Sequence, residues 1–233
     1  ARIVEVGCGY SSRLTVDAAE KWLPDLDLTM IEPDPVRLLE LIAEPESLIA
    51  SPVQDVDPAI FDDADLVAID SSHVMRAGSD VQHLLFTILP RLRSGTHIHV
   101  HDIFHPFEYP ASWLRSGTAL NEAYAWRALL QDSSRLHIVL WNHMLMRADR
   151  SWFESNMPLC LSAPFVTGGL WVGVRWVLGP AGPEREQRPD VTHVNNQGGQ
   201  WDPSIDPELW KYSWANPLLV DDPPGFTGPA GPA

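Results

Sequence analysis

Ile3-Val4-Glu5-Val6-Gly7-Cys8-Gly9-Tyr10-Ser11-Ser12 reads as a buried strand that runs into a glycine turn and then a helix. Ile3, Val4 and Val6 are the β-branched residues that a central parallel strand favours. Gly7 and Gly9 let the backbone turn tightly and approach a ligand with no Cβ in the way. Ser11 and Ser12 are expected to cap a helix opening at about Arg13, leaving its first N–H groups facing that ligand. Glu5 lies just before the turn, where a carboxylate can meet a cationic ligand. A dinucleotide fingerprint would place glycine three residues after Gly9, and Ser12 stands there instead.

The rest of the first half alternates strand and helix. Helices are expected over Arg13 to Leu23 and Pro35 to Ala43, the second with Val36, Leu38, Leu39 and Ile42 on its apolar side. A further helix is expected over Ser79 to Leu92, where Val81, Leu84, Leu85, Ile88 and Leu89 recur at helical spacing. Between them fall strands at Asp27 to Ile31, Ser47 to Ala50, Asp65 to Ile69 and Thr96 to His101. Ala119 to Gln131 reads as another helix, and Leu136 to Trp141 and Leu170 to Val177 as two closing strands. This order predicts an α/β fold with a doubly wound, mostly parallel seven-stranded sheet. Ligands in such sheets bind beyond the carboxyl ends of the strands. Glu5, Glu32, Asp70 and Asp102 all fall at those ends.

Composition narrows the function. Sixteen Lys and Arg against thirty-one Asp and Glu give a net charge of −15, a field that repels a polyphosphate backbone, so no nucleic-acid partner is expected. No apolar run reaches the ~18–20 residues of a membrane span, and no basic-then-apolar signal peptide is expected from the opening residues. Cys8 and Cys160 make no metal pattern and no disulfide framework, which fits a reducing cytoplasm. Cys8 reads as a small buried residue of the turn rather than a nucleophile. Ten of the twenty-one prolines fall after Leu178. The chain is therefore divided into a domain over 1–177 and an irregular Pro-, Gly- and Trp-rich extension over 178–233. In that extension Trp201, Trp210, Tyr212 and Trp214 are too apolar for a free linker.

The E-x-G-x-G turn, followed by Glu32 in Met30-Ile31-Glu32-Pro33, resembles the first two motifs of class I S-adenosylmethionine (SAM) methyltransferases. The resemblance implies that Glu5, Gly7, Gly9, Tyr10, Ser11 and Ser12 cradle SAM and that Glu32 accepts hydrogen bonds from both ribose hydroxyls. It also implies that Gln54 or Asp55 reads the adenine amine and that Asp70 belongs to the cofactor site. Members of this family usually carry a segment ahead of the first strand, so a covering N-terminal segment before Ala1 is expected.

Asp70-Ser71-Ser72-His73 and His101-Asp102 follow neighbouring strands, so their side chains should converge. Two carboxylates and an imidazole, Asp70, His101 and Asp102, suit one divalent cation, Mg²⁺ or Mn²⁺. Such a cation acidifies a hydroxyl, and a nearby histidine, His73, can accept the proton. Strand alternation puts His97, His99 and His101 on one face, with His97 and His99 expected as hydrogen-bonded core residues. His105 and Glu108 are expected to line an acceptor site; Tyr109 and Trp113 can stack on a sugar or aromatic acceptor, though anchoring the loop by hydrophobic packing is the more common role of such residues. These stretches, with Asn121-Glu122-Ala123-Tyr124, resemble bacterial metal-dependent O-methyltransferases of the macrolide-sugar type. The resemblance covers residues 2–177 and implies Asp70, His101 and Asp102 as ligands with His73 as base. It departs at His101, where the family usually has an acid.

The function expected is methyl transfer from SAM to a hydroxyl of a small acceptor, in the cytoplasm, by a protein that can form a homo-oligomer. The alternatives are a metal-independent SAM methyltransferase with a histidine base and a non-catalytic SAM-fold binding module. A zinc hydrolase is disfavoured, because H-x-x-x-H helical spacing is missing and strand-alternating histidines cannot all reach one ion.

Overall fold

The computed structural model describes residues 1–42, 45, 47–161 and 168–175. The extension over 178–233, the boundary before it and the end of the last expected strand lie outside the described residues.

Seven strands form one sheet: β1 (Arg2–Val6), β2 (Asp27–Ile31), β3 (Leu48–Ile49), β4 (Leu66–Ile69), β5 (His97–His101), β6 (Leu136–Trp141) and β7 (Gly169–Val174), in the order β3-β2-β1-β4-β5-β7-β6. The pairs among β1 to β5 are parallel, whereas β7 runs antiparallel to both β5 and β6. The sheet is thus mixed, with β7 the strand that opposes the rest. Chain order reverses between β1 and β4, and this switch point opens the crevice in which such sheets hold ligands.

Register fixes what stands at that crevice. Val6 is level with both Ile31 and Ile69, and Ile69 is level with Val100. The next residue of each strand or turn is therefore Gly7, Glu32, Asp70 and His101, all emerging at one height. Beneath them Val4, Val6, Ile31, Val67, Ile69, Ile98 and Val100 are buried. The core continues into Phe61, Phe104 and Trp126, the largest fully buried side chains.

The helices depart from expectation in detail. Helix α1 (Tyr10–Trp22) opens three residues earlier than expected, with Gly9 at the N-cap. Gly9 has no side chain to cap with, so Ser12 reaches back and its Oγ accepts the Gly9 N–H at 2.9 Å. Ser11 and Ser12 therefore lie inside the first turn. Helix α2 (Val36–Leu41) buries Leu38, but Val36 and Leu39 are exposed, so its apolar side is split. The expected helix over 79–92 changes winding twice. Helix α3 (Asp80–His83) widens to a π turn over Leu84–Ile88 and tightens to a 3₁₀ turn over Leu89–Arg91. Pro90 is the cause, since it has no N–H to donate and its ring crowds the carbonyl four residues back.

Three helices fall where no helix was expected: α4 (Ala111–Arg115), α6 (Asn142–Ala148) and α7 (Arg150–Asn156). Helix α5 (Glu122–Gln131) starts three residues later than expected. No helix among the described residues is long and apolar enough to cross a membrane.

Candidate functional site

The glycine turn is built against the end of β4. Gly7 has φ +83°, and a Cβ added there would sit 1.7 Å from the Asp70 carbonyl oxygen. Only glycine fits both the left-handed backbone and this contact. The turn and Asp70 are consequently one continuous surface.

Around the turn, three carboxylates have distinct surroundings. Glu32 accepts the Cys8 N–H at 3.0 Å on Oε2 and the Asp34 N–H at 2.9 Å on Oε1. Each oxygen keeps a lone pair for a further donor. Glu5 is buried, and its Oε1 accepts from Ser11 Oγ at 2.7 Å. Its Oε2 is buried with no hydrogen-bond partner among the described residues. Burial, only partly offset by Ser11 and Ser12, raises the Glu5 pKa. A buried carboxylate oxygen without a donor suits a cationic ligand, as a SAM amino or sulfonium group would be. Burial, helped by the charge of Glu5, pushes the Cys8 thiol up to about 12, so it stays a protonated packing group as expected.

Tyr10 is 70% exposed at the start of α1, with the Arg37 guanidinium 5.7 Å from its ring centre. Gln54 and Asp55 lie on the 3₁₀ turn Val53–Asp55, where Gln54 Nε2 donates to the Gly78 carbonyl at 3.0 Å and Asp55 is exposed.

Next to the turn, Asp70, His73, His101 and Asp102 converge as the sequence suggested. His73 Nε2 lies 3.2 Å from Asp70 Oδ1 and 4.0 Å from Asp102 Oδ2. His101 Nδ1 lies 3.2 Å from Asp70 Oδ1 and 3.4 Å from Asp102 Oδ1. Asp70, His73 and His101 offer one ligand atom each, all within 4.8 Å of one another. His73, expected as the base, thus lies as close to Asp70 and His101 as a ligand would, and Asp102 is not in this group. Both His73 (φ 56°) and Asp102 (φ 54°) hold left-handed backbone, a strain of about 1–2 kcal/mol each that concentrates at functional sites.

Burial pulls the His73 pKa down, but hydrogen bonds to Asp70 and Glu122 and the charges of Glu122 and Asp102 override it and hold the ring at about 9. His101 is held at about 10 by its contacts with Asp102 and Asp70, against burial. Burial raises Asp70, yet the 3.2 Å contact with His101, the hydrogen bond with His73 and the charges of both rings keep it well below the usual carboxylate range. Without a cation the rings carry protons that balance the carboxylates. A cation placed among these donors would supply that charge instead.

Sequence reasoning gave no separate role to Glu122. It is 1% exposed at the start of α5, and its Oε2 lies 3.0 Å from His73 Nδ1. Its Oε1 accepts the Trp126 indole N–H at 3.2 Å. The Asn121 and Glu122 backbone N–H groups both donate to the His73 carbonyl. The available signal was an acid four residues before a Trp on an otherwise apolar helix face.

Of the two roles open to Tyr109 the structure gives it the anchoring one: it is 2% exposed and its hydroxyl accepts the Ala123 N–H at 3.0 Å, so it offers no stacking face. Trp113 packs edge-on against Phe104. Glu108 accepts from the Tyr124 hydroxyl. His105 meets Trp141 edge-on, and burial followed by the Arg147 charge lowers it to about 4. His97, at the far end of β5, is exposed and not a core residue. His99 is half-buried against Trp171, with a pKa that burial and the His101 charge lower to about 4.

Residues 4–103 match the family model described as a methyltransferase domain. A curated protein of Archaeoglobus fulgidus, described only as uncharacterized, is 40% identical over 65 residues; this covers 26% of the present chain and 29% of that relative's length. Among solved structures, the plantazolicin methyltransferase BpumL in complex with SAH aligns with a TM-score of 0.46 and 14% identity over 76% of each chain. A SAM dependent methyltransferase from Archaeoglobus fulgidus aligns with a TM-score of 0.38 and 12% identity, over 75% of this chain and 86% of that one. The methyltransferase-domain match spans the glycine turn, Glu32, Asp70, His73, His101 and Asp102.

Proposed function

We propose that the protein transfers the methyl group of SAM to a hydroxyl of a small acceptor, such as a sugar or secondary metabolite, assisted by a divalent cation at Asp70, His101 and Asp102. The observation that carries this reading is the register at the switch point. Gly7, Glu32, Asp70 and His101 leave the sheet at one height, so a ligand lying along the glycine turn ends at the histidine–carboxylate cluster. The methyltransferase-domain match over 4–103 supports it.

Each residue then has a task. Glu32 has spare lone pairs for two ribose hydroxyls, and Glu5 offers its partnerless oxygen to the cationic end of the cofactor. Gly7 and Gly9 admit the ligand; Tyr10, Ser11 and Ser12 form the helix end beside it, and Gln54 or Asp55 closes the adenine end. SAM would bring a methyl that is already activated, and the chain's part is to place the acceptor oxygen in line with it. Mg²⁺ or Mn²⁺ would supply Lewis acidity toward the acceptor hydroxyl. His73 Nε2 faces the same point and accepts the hydroxyl proton. The net charge of −15 favours a small acceptor over nucleic acid. A metal-independent reaction is the second reading, favoured by rings and carboxylates that already pair with one another.

Calorimetry separates these readings. SAM should bind, and Mn²⁺ or Mg²⁺ should give its own isotherm, abolished by EDTA and by Asp102→Ala. SAM binding with no metal isotherm selects the metal-independent reaction. Failure to bind SAM, repeated on a longer chain that carries the expected covering N-terminal segment, refutes the methyltransferase reading.

A further inference from the structure

We propose that Glu122 is the positioning residue that fixes the tautomer of His73, so that Nε2 presents its lone pair to the point where Asp70 and Asp102 converge. The inference deepens the function proposed above and rests on it for its catalytic meaning, though the hydrogen-bond argument stands alone.

Donors and acceptors around Glu122 decide where the His73 proton sits. The indole N–H of Trp126 can only donate, and it points at Glu122 Oε1 at 3.2 Å. His73 Nδ1 lies 3.0 Å from the other oxygen, Oε2. A carboxylate accepts on both oxygens and donates on neither, and Nε2 meets a second one, Asp70 Oδ1 at 3.2 Å, so the charged ring donates to both. In the neutral ring the single proton stays on Nδ1, because Glu122 is closer and buried whereas the Asp70 side chain, 44% exposed, can take water instead, and Nε2 is left as the acceptor. Glu122 is 1% exposed, so water does not compete for these bonds. The backbone holds the same pairing from the other side, because the His73 carbonyl accepts the Asn121 and Glu122 N–H groups at 3.1 and 3.2 Å. Ring and backbone of His73 are thus both tied to the first turn of α5, which offsets its left-handed φ of 56°.

An amide at this position cannot do the same. In Glu122→Gln one atom of the terminal group accepts and the other donates. If the amide oxygen serves Trp126, the amide NH₂ faces Nδ1 and drives the imidazole proton to Nε2, so the lone pair is lost from the site. If it serves His73, two donors confront each other at Trp126. Trp126→Phe removes that competitor and lets the amide oxygen turn to Nδ1. A residue that mattered only for packing would behave otherwise: the two substitutions would add their costs, with no recovery.

The test is ring nitrogen NMR on the full chain with ¹⁵N-labelled histidine, in alkaline solution where the His73 ring is neutral. The wild type should show the proton on Nδ1, Glu122→Gln should show it on Nε2, and the Glu122→Gln/Trp126→Phe pair should return it to Nδ1. A wild-type ring protonated on Nε2 overturns the proposal without any variant, so it stays testable should the amide variant not fold. An unchanged tautomer in folded Glu122→Gln overturns it as well, and so does a folded double variant that stays inverted.

Titration with Mn²⁺ alone tests the proposed cation site separately, because His73 serves there as base and not as ligand. If the wild type binds no Mn²⁺, the metal-assisted reading fails while the nitrogen spectra still decide the role of Glu122.

Discussion

Alanine substitutions at Gly7 and Gly9 should behave oppositely, and the comparison isolates what the glycine turn is for. At Gly7 the backbone has φ +83°, which costs an alanine about 1–2 kcal/mol. The added Cβ would also meet the Asp70 carbonyl oxygen at 1.7 Å and its carbon at 2.5 Å. Real contacts essentially never fall under 3.0 Å, so backbone must retreat by more than an ångström. That retreat strains the Asp70 N–H bond to the Val6 carbonyl, 2.8 Å long, which ties β4 to β1. Overpacking of this kind adds about 1–3 kcal/mol. Gly7→Ala should therefore cost roughly 2–5 kcal/mol, a large part of the ~5–15 kcal/mol that holds a domain together. At Gly9 φ is −179°, and an added Cβ meets only Arg37 Cδ, at 3.7 Å. Gly9→Ala should cost less than about 1 kcal/mol, while weakening SAM binding, because its Cβ projects where the cofactor is proposed to pass. Urea unfolding with linear extrapolation measures the first contrast and calorimetry the second. Equal stability of the two variants would refute the close-contact reasoning; unaltered SAM binding by Gly9→Ala would remove the ligand from this turn.

Acid should loosen the fold before the carboxylates titrate. His143 is 2% exposed and its Nδ1 accepts the His105 N–H at 2.9 Å, and burial, then Arg147 and His105, lowers its pKa to about 4, with His105 lowered to about 4 beside it. Both folded values lie below the ordinary 6.5, so their stabilisation is full above pH 6.5 and is lost as pH falls toward 4, at up to about 1.4 kcal/mol per pH unit for each ring. Denaturation at pH 7 and pH 5 checks it; His143→Gln, which keeps an acceptor for the His105 N–H, should flatten the slope, and stability that rises on acidification would refute it. Tyr109→Phe leaves the buried Ala123 N–H without its 3.0 Å acceptor and should cost about 1–3 kcal/mol in urea unfolding; a neutral result would show that the α5 start has another partner.

Much of this site was legible in the sequence because strand ends are. β-branched runs that stop at a glycine or an acid mark where the sheet gives way to solvent, so the residue order alone places Glu32, Asp70 and Asp102 at strand ends. The level of the strands was not legible, since register depends on pairing between segments far apart in the chain. Tyr109 shows a different limit. An aromatic among prolines and histidines fits a surface platform or a packed anchor alike, and only the folding of 103–110 onto α5 decides for the core. Glu122 looks from the sequence like an acid favoured by the helix dipole in a first turn. Its burial follows from α5 lying against His73, a contact 49 residues apart in the chain. His97 failed as a core residue because alternation gives the face of a strand but not where along it the core begins.

The boundary between fold and chemistry falls across a single residue on each central strand. Val6, Ile31, Ile69 and Val100 are at most 5% exposed, while Glu32, Asp70 and His101, with Gly7 among them, begin a cluster that violates every rule the core obeys. It holds left-handed non-glycine residues, a partnerless buried oxygen and several facing ionisable groups. Local costs that the fold does not need point to function. Asp102→Asn tests that separation. Asparagine accepts a φ of 54° as readily as aspartate, so the backbone is preserved. The lost charge faces His101 Nδ1 at 3.4 Å, whose raised pKa it supports most, and His73 Nε2 at 4.0 Å. Stability should therefore fall by about 1–3 kcal/mol without loss of folding, while Mn²⁺ affinity falls at least tenfold. A variant that unfolds would make Asp102 a structural residue, and one that binds Mn²⁺ at full affinity would take the cation away from it.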